Sequence, residues 1–413
     1  MRAMISAAVL GAGVTYTLLF ISLYFEVFLL ISFLERRKVS RTVSGTRTLP
    51  KVSIVVPCFN EQMSLGSTLR SLQDLKYPPQ LLDIIVVDDG SRDETLAMAR
   101  TFENDRRIRV FHKENGGKHT AMNLALSVSD AELIGCLDAD SIVDSDALMR
   151  VAAVFQDARI AAVTPGIHVR EPQTILQHMQ NVEYRLSVFN RFILAALGSA
   201  FITPGPFSIF RAGVVRELGG WRHGHFTEDM EMALRMQEAG HLIANAPNAI
   251  VHTTTPRTLR ALFRQRVRWT YGFLKNAADY KHMFGDRRYG NLGVLVLPTA
   301  LISIGTGIYF FCRILFWTSI DLLKAYGHYE LTGAVSQPTF HLFFLNTSAM
   351  WFLVLASVLL ILVLISAGSL IGTGKRMPPY STPLFILFYC FLVPLWLSAA
   401  VVRATIGTGV RWR

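Results

Sequence analysis

The sequence contains no Cys-x-x-Cys pair and no cysteine–histidine spacing that suits zinc. Its four cysteines, Cys58, Cys136, Cys312 and Cys390, are scattered over 413 residues, so they read as reduced packing residues rather than a metal or dithiol site. Gly-x-x-x-x-Gly-Lys-Ser/Thr is absent, which excludes a P-loop ATPase, and the lack of Gly-x-Gly-x-x-Gly argues against a dinucleotide site. Acidic residues are in deficit, 30 against 41 basic ones, for a net charge of +11. Nucleic acid is the usual partner for such a value. Here, however, the basic residues gather beside apolar runs, where anionic lipid headgroups explain them more simply. No nucleic-acid partner is expected.

What the chain has in excess is apolar surface, 51% of residues, and it is unevenly distributed. Uncharged runs cover residues 3–25, 289–312, 342–374 and 377–402, each longer than the roughly 20 residues that cross a bilayer as a helix. The first run is too long for a signal-peptide core, and no small-residue cleavage pattern follows it. Its basic flank, Arg36, Arg37, Lys38, Arg41 and Arg47, assigns that side and the domain behind it to the cytoplasm. Four segments are therefore expected: residues 1–47, a membrane span with a basic juxtamembrane piece; 48–255, a cytoplasmic domain; 256–288, an amphipathic interface helix; and 289–413, about three further spans. Three spans would leave Arg403, Arg411 and Arg413 outside, against the charge rule, unless one stretch re-enters. Pro298 and Pro394 are expected to kink their helices.

Within the domain, VSIVVP (52–57) and LDIIVV (82–87) are continuous β-branched runs of the kind buried on both sheet faces. Helical spacing follows each, over 63–75 and 93–102, and short strands over 108–111 and 131–137 flank a helix over 119–127. The alternation implies βαβ units, hence an α/β fold with a mostly parallel twisted sheet. The second half is less regular. It is read as a strand over 160–164, a long helix over 173–197, a turn flanked by strands over 201–210, a helix over 229–239 and a strand over 249–252. Residues 257–281 form a basic amphipathic helix suited to a headgroup plane, or an ordinary surface helix.

Five motifs carry candidate chemistry. Asp138 and Asp140 flank Ala139 at a strand's carboxyl end, where ligands bind open α/β sheets. In extended backbone both point to one side and can hold Mg²⁺ or Mn²⁺ on a diphosphate, or else simply cap a turn. Asp88 and Asp89 precede Gly90-Ser91, as an Asx-turn or as acceptors for a base or ribose. Lys118 follows two glycines that allow phosphate to approach closely, or is a solvated turn lysine. Thr227-Glu228-Asp229 opens a helix, where acids are preferred anyway; Asp229 is also placed to take a proton from an attacking hydroxyl. Gln265, Arg268 and Trp269 share a helix face at i, i+3 and i+4. They suit a sugar diphosphate, or anchor the helix at the membrane.

Taken in order, VPCFNE (56–61), DDGS (88–91), GGK (116–118), DAD (138–140), TED (227–229) and QRVRW (265–269) resemble the family 2 glycosyltransferases. The likeness is strongest to the membrane-embedded processive branch of poly-N-acetylglucosamine, chitin-oligosaccharide, hyaluronan and cellulose synthases. It covers roughly residues 51–281 and implies a GT-A nucleotide-diphospho-sugar transferase domain. It further implies UDP binding by Asp88, Asp89 and Lys118, metal on Asp138 and above all Asp140, Asp229 as general base, and Gln265, Arg268 and Trp269 bordering acceptor and diphosphate. There is one amino-terminal span where several relatives have two.

The expectation is a hexosyltransferase of the cell membrane, multi-pass with its catalytic domain cytoplasmic. It would use a UDP-sugar, N-acetylglucosamine by similarity, to elongate a β-linked polysaccharide with inversion. Its partners would be the growing glycan or a lipid acceptor, membrane lipids and accessory export subunits. The alternative is transfer of one sugar to a membrane lipid. A reading from a different class, a transporter or scaffold that binds nucleotide without turnover, is opposed by the complete acid set.

Overall fold

The computed structural model describes residues 2–36, 48–334 and 348–407. Most of the basic flank (Arg37, Lys38, Arg41, Arg47), and Arg411 and Arg413, lie outside them. The chain opens with α1 (Arg2–Arg36) and enters the domain at β1 (Val52–Cys58), followed by α2 (Leu65–Gln73), β2 (Leu82–Asp88), α3 (Thr95–Arg100), β3 (Ile108–His112), α4 (Lys118–Val128) and β4 (Leu133–Cys136). Then come β5 (Ser141–Val143), α5 (Ala147–Val154), β6 (Ile160–Val169), α6 (Ile175–Ala196), β7 (Ser208–Arg211), α7 (Ala212–Glu217), α8 (Glu228–Glu238), β8 (Leu242–Thr253) and α9 (Leu259–Asp279). Three long helices close the described chain: α10 (Leu297–Thr332), α11 (Ala349–Thr373) and α12 (Thr382–Ile406).

The eight strands form one sheet in the order β3-β2-β1-β4-β7-β6-β8-β5. Pairs β3/β2, β2/β1, β1/β4 and β6/β8 are parallel; β4/β7, β7/β6 and β8/β5 are antiparallel. The continuous apolar runs follow from burial on both faces. Ile54, Val56, Ile84 and Val86 pack on one side against α2 and α5, and Val55, Ile85 and Val87 on the other against α4 and α8.

The second half departs from its sequence reading. Residues 201–210 supply one strand, β7, rather than two flanking a turn, because Thr203 is tied by its amide and hydroxyl to the Asp229 carbonyl, at 3.2 and 2.7 Å. Strand β5, three residues directly after the Asp138–Asp140 turn, has no sequence counterpart. Strand β8 is twelve residues rather than four. Cys58 and Cys136 are buried free thiols, but Cys312 and Cys390 are exposed, so only the first pair packs in the interior.

Four helices are long and apolar enough to cross a membrane: Gly11–Glu35, Leu292–Thr332, Ala349–Thr373 and Thr382–Ile406. The second continues some twenty residues past Cys312, carrying Arg313, Asp321 and Lys324. Pro298 lies in the first turn of α10, after a π-helical segment at Leu292–Val296, while Pro394 is interior to α12. The link between α11 and α12 returns to the domain: Ser381 Oγ donates to the His178 carbonyl at 2.8 Å and Tyr380 hydroxyl lies 2.9 Å from His178. Lys375 and Arg376 in that link therefore sit on the domain side.

Helices α6 and α9 join domain to spans. Phe189 and Ile193 of α6 pack with Leu29 and Phe33 of α1 and Leu364 and Ala367 of α11. Leu262 and Val267 of α9 pack with Tyr389, Trp396 and Ala400 of α12. The apolar face of α9 is thus covered by a span, and its other flank meets the loop before α8: Asn276 Nδ2 donates to Thr227 Oγ1 at 2.8 Å and to the Gly224 carbonyl at 3.0 Å.

Candidate active site

The carboxyl ends of β1, β2 and β4 converge on one ledge. Asp138 and Asp140 follow β4 in a turn rather than in extended strand. Ala139 between them is buried while both acids are half-buried, and the charge of Asp138 acts on the Asp140 carboxyl. Thr68 Oγ1 holds the Ala139 carbonyl at 2.8 Å, and Ser141 Oγ donates to Asp140 Oδ1 at 3.1 Å.

Lys118, the first residue of α4, donates to Asp138 Oδ1 at 2.5 Å and lies 3.6 Å from Glu228 Oε1. It therefore bridges the acid turn and the start of α8. Gly117 before it takes φ +89, a left-handed value that favours glycine. Burial works against the lysine cation, but Asp138 and Glu228 hold its pKa well above the ordinary value.

Asp229 sits beside that bridge at the amino end of α8. Burial first, then Glu228, pushes its carboxyl up to about 7 against the opposing pull of Lys118. Asp140 is likewise pushed up to about 6, by burial and then by the charges of Asp138 and Glu61. Asp138 and Lys118 act on both acids, so the DAD and TED motifs share one electrostatic neighbourhood. The loop 203–207 ties them together mechanically. Thr203 holds the Asp229 backbone, and a Cβ added at Gly205 would run into Lys118 Nζ and stand 2.8 Å from Asp138 Oδ2. No sequence motif marked Gly205.

The two acids after β2 behave differently from one another. Asp89 has both oxygens engaged within the chain: Gly116 and Gly117 amides donate to it at 3.0 and 2.8 Å and Lys113 Nζ at 2.6 Å. It pins the turn that presents Lys118. Asp88 is fully buried; His112 Nδ1 lies 2.7 Å from Oδ2, and Oδ1 has no hydrogen-bond partner among the described residues. His112 carried no signal in the sequence.

On α9, Gln265, Arg268 and Trp269 keep their shared face, and Trp269 is 39% exposed. The buried arginine is a fourth residue, Arg266. Its guanidinium covers the Trp269 ring at 4.2 Å and donates to Glu183 Oε2 at 2.7 Å. One face of the indole is therefore already occupied by a cation. The i, i+3, i+4 pattern did not single out Arg266.

Among the described residues no group of three or more His, Cys, Asp and Glu side chains is gathered as a metal cage. The donor set is instead the pair Asp138 and Asp140: Asp140 has no ion-pair partner among the described residues, and Gly205 puts no side chain into the space beside Asp138. One or two carboxylates that leave room for phosphate oxygens are what a Mg²⁺ or Mn²⁺ substrate site requires, so the residues present fit such an ion.

Residues 50–272 match the model of the family described as glycosyltransferase like family 2. A poly-β-1,6-N-acetyl-D-glucosamine synthase of Staphylococcus aureus (strain COL) is 32% identical over 228 residues, 54% of this chain and 55% of that protein. The synthase of the same name from Staphylococcus epidermidis (strain RP62A) is 27% identical over 266 residues, 62% and 64% of the two chains. The chain thus matches little more than half the length of these curated relatives. Among solved structures, the mannosyltransferase PcManGT from Pyrobaculum calidifontis, in complex with GDP-Man and Mn²⁺, superposes with a TM-score of 0.63 at 17% identity, covering 98% of this chain and 99% of that one. That likeness shows a shared GT-A fold.

Proposed function

We propose, from the premise that this chain belongs to the family 2 glycosyltransferases, that it transfers N-acetylglucosamine from UDP-N-acetylglucosamine to a growing β-linked glycan at a membrane, inverting the anomeric carbon. The chain is a glycosyltransferase and a membrane protein; donor, product and orientation are our reading. The observation that carries it is the bridge at Lys118, whose ammonium touches both the metal-competent acid turn and the helix end that bears Asp229. The named synthases of the two staphylococci support the sugar and the product. The basic residues Arg36, Lys375 and Arg376 on the domain side of the spans support a cytoplasmic domain at the cell membrane.

In this reading Asp229 accepts the proton of the acceptor hydroxyl, whose oxygen bonds to the anomeric carbon as the bond to the UDP oxygen breaks on the opposite face. A pKa near 7 suits a base that works at neutral pH. Lys118 offsets negative charge developing on the leaving diphosphate, and Asp89 keeps it in place through the Gly116-Gly117 turn. Asp88 Oδ1, buried and without a hydrogen-bond partner among the described residues, would accept from a base or ribose only on opening of the ledge above it. Asp138 and Asp140 would hold a divalent cation, Mg²⁺ or Mn²⁺, which when bound supplies Lewis-acid neutralisation of the diphosphate. The open face of Trp269, with Gln265 and Arg268 beside it, offers the acceptor sugar a platform. Export subunits would be needed only if the product leaves as a long chain.

A second reading, transfer of a single sugar to a membrane lipid, is favoured by an incompletely paired arginine between domain and spans, described below. Incubating the purified full chain with a panel of radiolabelled UDP-sugars and Mn²⁺, then sizing the products, tests both. Polymer from UDP-N-acetylglucosamine is expected; one lipid-extractable sugar selects the second reading, and no turnover of any donor removes both.

A further inference from the structure

Helix α6 packs on β6 and β8 on one side and on α11 and α1 on the other. Between those faces it carries Tyr184, Ser187 and Arg191 at helical spacing. The Tyr184 phenol lies within reach of the charges of Arg266, Glu183, Arg191 and Asp140, so this polar stripe runs from the acid turn toward the membrane. Arg191 is level along α6 with Phe189 and Ile193, the residues packed on α1 and α11, but it is two residues from each and so lies on the opposite face, on the Tyr184 side. Its guanidinium stands at the height where domain meets spans and faces the acid turn.

Arg191 Nη1 donates to Ser187 Oγ at 3.0 Å, but Nε and Nη2 are buried and have no hydrogen-bond partner among the described residues. Burial pushes the guanidinium down to about 10. Neighbouring carboxylates are committed elsewhere: Glu183 takes Arg266 at 2.7 Å and the Tyr389 hydroxyl at 3.1 Å. Each buried donor left unmade costs about 1–3 kcal/mol, and more on a charged group. The orphaned nitrogens are not random. Nε and Nη2 form one edge of the planar fork, the edge that meets two oxygens of a phosphate or carboxylate side by side. Ser187, on the opposite nitrogen, holds that edge in place before any ligand arrives.

We infer that the Nε/Nη2 edge of Arg191 seats the phosphoryl group of a membrane lipid that serves as, or carries, the acceptor. A lipid phosphate lies at headgroup level, which is where domain meets spans, and its two oxygens complete the fork. The inference rests on the sugar-transfer reading only for its meaning; the seat itself is a binding property, and it holds whatever length the product reaches.

The test uses the full chain in phosphatidylcholine nanodiscs, with farnesyl monophosphate as probe, farnesol as its uncharged twin, and inorganic phosphate and UDP with Mn²⁺ as the other arms. Arg191→Gln should raise the Kd for farnesyl monophosphate at least tenfold, with Arg191→Lys recovering only part of the loss. Affinity for farnesol and for UDP should not change. The unfolding midpoint should hold or rise, because an unpaired buried cation has been removed. Equal weakening of farnesol and its phosphate, or a lowered midpoint, would make Arg191 a packing residue and overturn the proposal. Loss of UDP affinity with unchanged farnesyl phosphate would assign the edge to the donor diphosphate, and competition by inorganic phosphate as strong as by the lipid would assign it to free anion; either overturns the lipid seat. Failure of the wild type to turn over any UDP-sugar would sink the sugar-transfer reading without touching these Kd values.

Discussion

The ledge at the strand ends and the seam along α6 both hold buried charge, but they are wired differently. On the ledge, Asp89 has three donors, Lys118 has two acids, and α8 is braced by Glu231, which pairs with Arg235 at 2.8 Å and accepts from the Tyr280 hydroxyl at 3.0 Å. At the seam, Arg191 keeps two nitrogens and Arg266 one without a hydrogen-bond partner among the described residues. Apart from Asp88 Oδ1 and Arg235 Nε, which have no hydrogen-bond partner among the described residues, the ledge is tied within the chain and can hold its geometry without substrate, as electrostatic stabilisation of a leaving group requires. A seam left incomplete pays that cost until something binds. On the reading proposed above, the ledge is a preorganised donor side and the seam an acceptor side that its ligand would finish.

The contrast breaks first if the ledge is not self-sufficient. Glu231→Ala strips the partner from buried Arg235, whose other contacts are the Leu218 and Gly220 carbonyls, and should cost about 3–5 kcal/mol of stability in denaturant melts. A loss under 1 kcal/mol would mean α8 is not held by this pair. Gly205→Ala places a methyl against Lys118 and Asp138 and should lower kcat about 100-fold, roughly 2.7 kcal/mol at 1.36 kcal/mol per decade, with the fold intact by circular dichroism. Normal turnover in that variant would show that the ledge yields. Across the site, Trp269→Ala should raise acceptor KM by about tenfold, near the upper end of an aromatic contact, and leave donor hydrolysis close to wild type; equal losses would remove the platform role. The smallest effect is on pH. With Asp229 raised to about 7, the free enzyme loses its base as the carboxyl protonates. At saturating Mn²⁺, kcat/KM should therefore be level above pH 7 and decline below it toward tenfold per unit; a flat profile to pH 5 would contradict a base with that pKa.

The sequence was most readable where one physical rule governs a stretch. Buried parallel strands such as 52–57 and 82–87 stand out because both faces must be apolar, and α9 because one face must meet a span. It was less readable where a feature depends on a distant partner. Strand β5 is three residues held by pairing with β8, and the end of α10 was hidden because a charge ends an uncharged run without ending a helix. At the site, the chemistry-bearing acids announce themselves by type and spacing. Nothing local indicates that Asp89 would spend its oxygens on the Gly116 and Gly117 amides, that the loop at Gly205 would close over Lys118, or that Arg266 would cover the indole. Arg191 was silent for the same reason: a lone arginine on a mixed-face helix acquires meaning only when its partners are found to be missing.

The central claim, that acids ninety residues apart in the chain serve one metal-bound sugar nucleotide, is tested most directly with Asp229→Asn. Mn²⁺-dependent UDP binding and sugar transfer would be measured on the same preparation. The account predicts a wild-type Kd for UDP together with a fall in transfer of about 10³-fold or more, within the range expected for a lost general base. Retained transfer, or a loss of UDP affinity as large as the loss of rate, would contradict it.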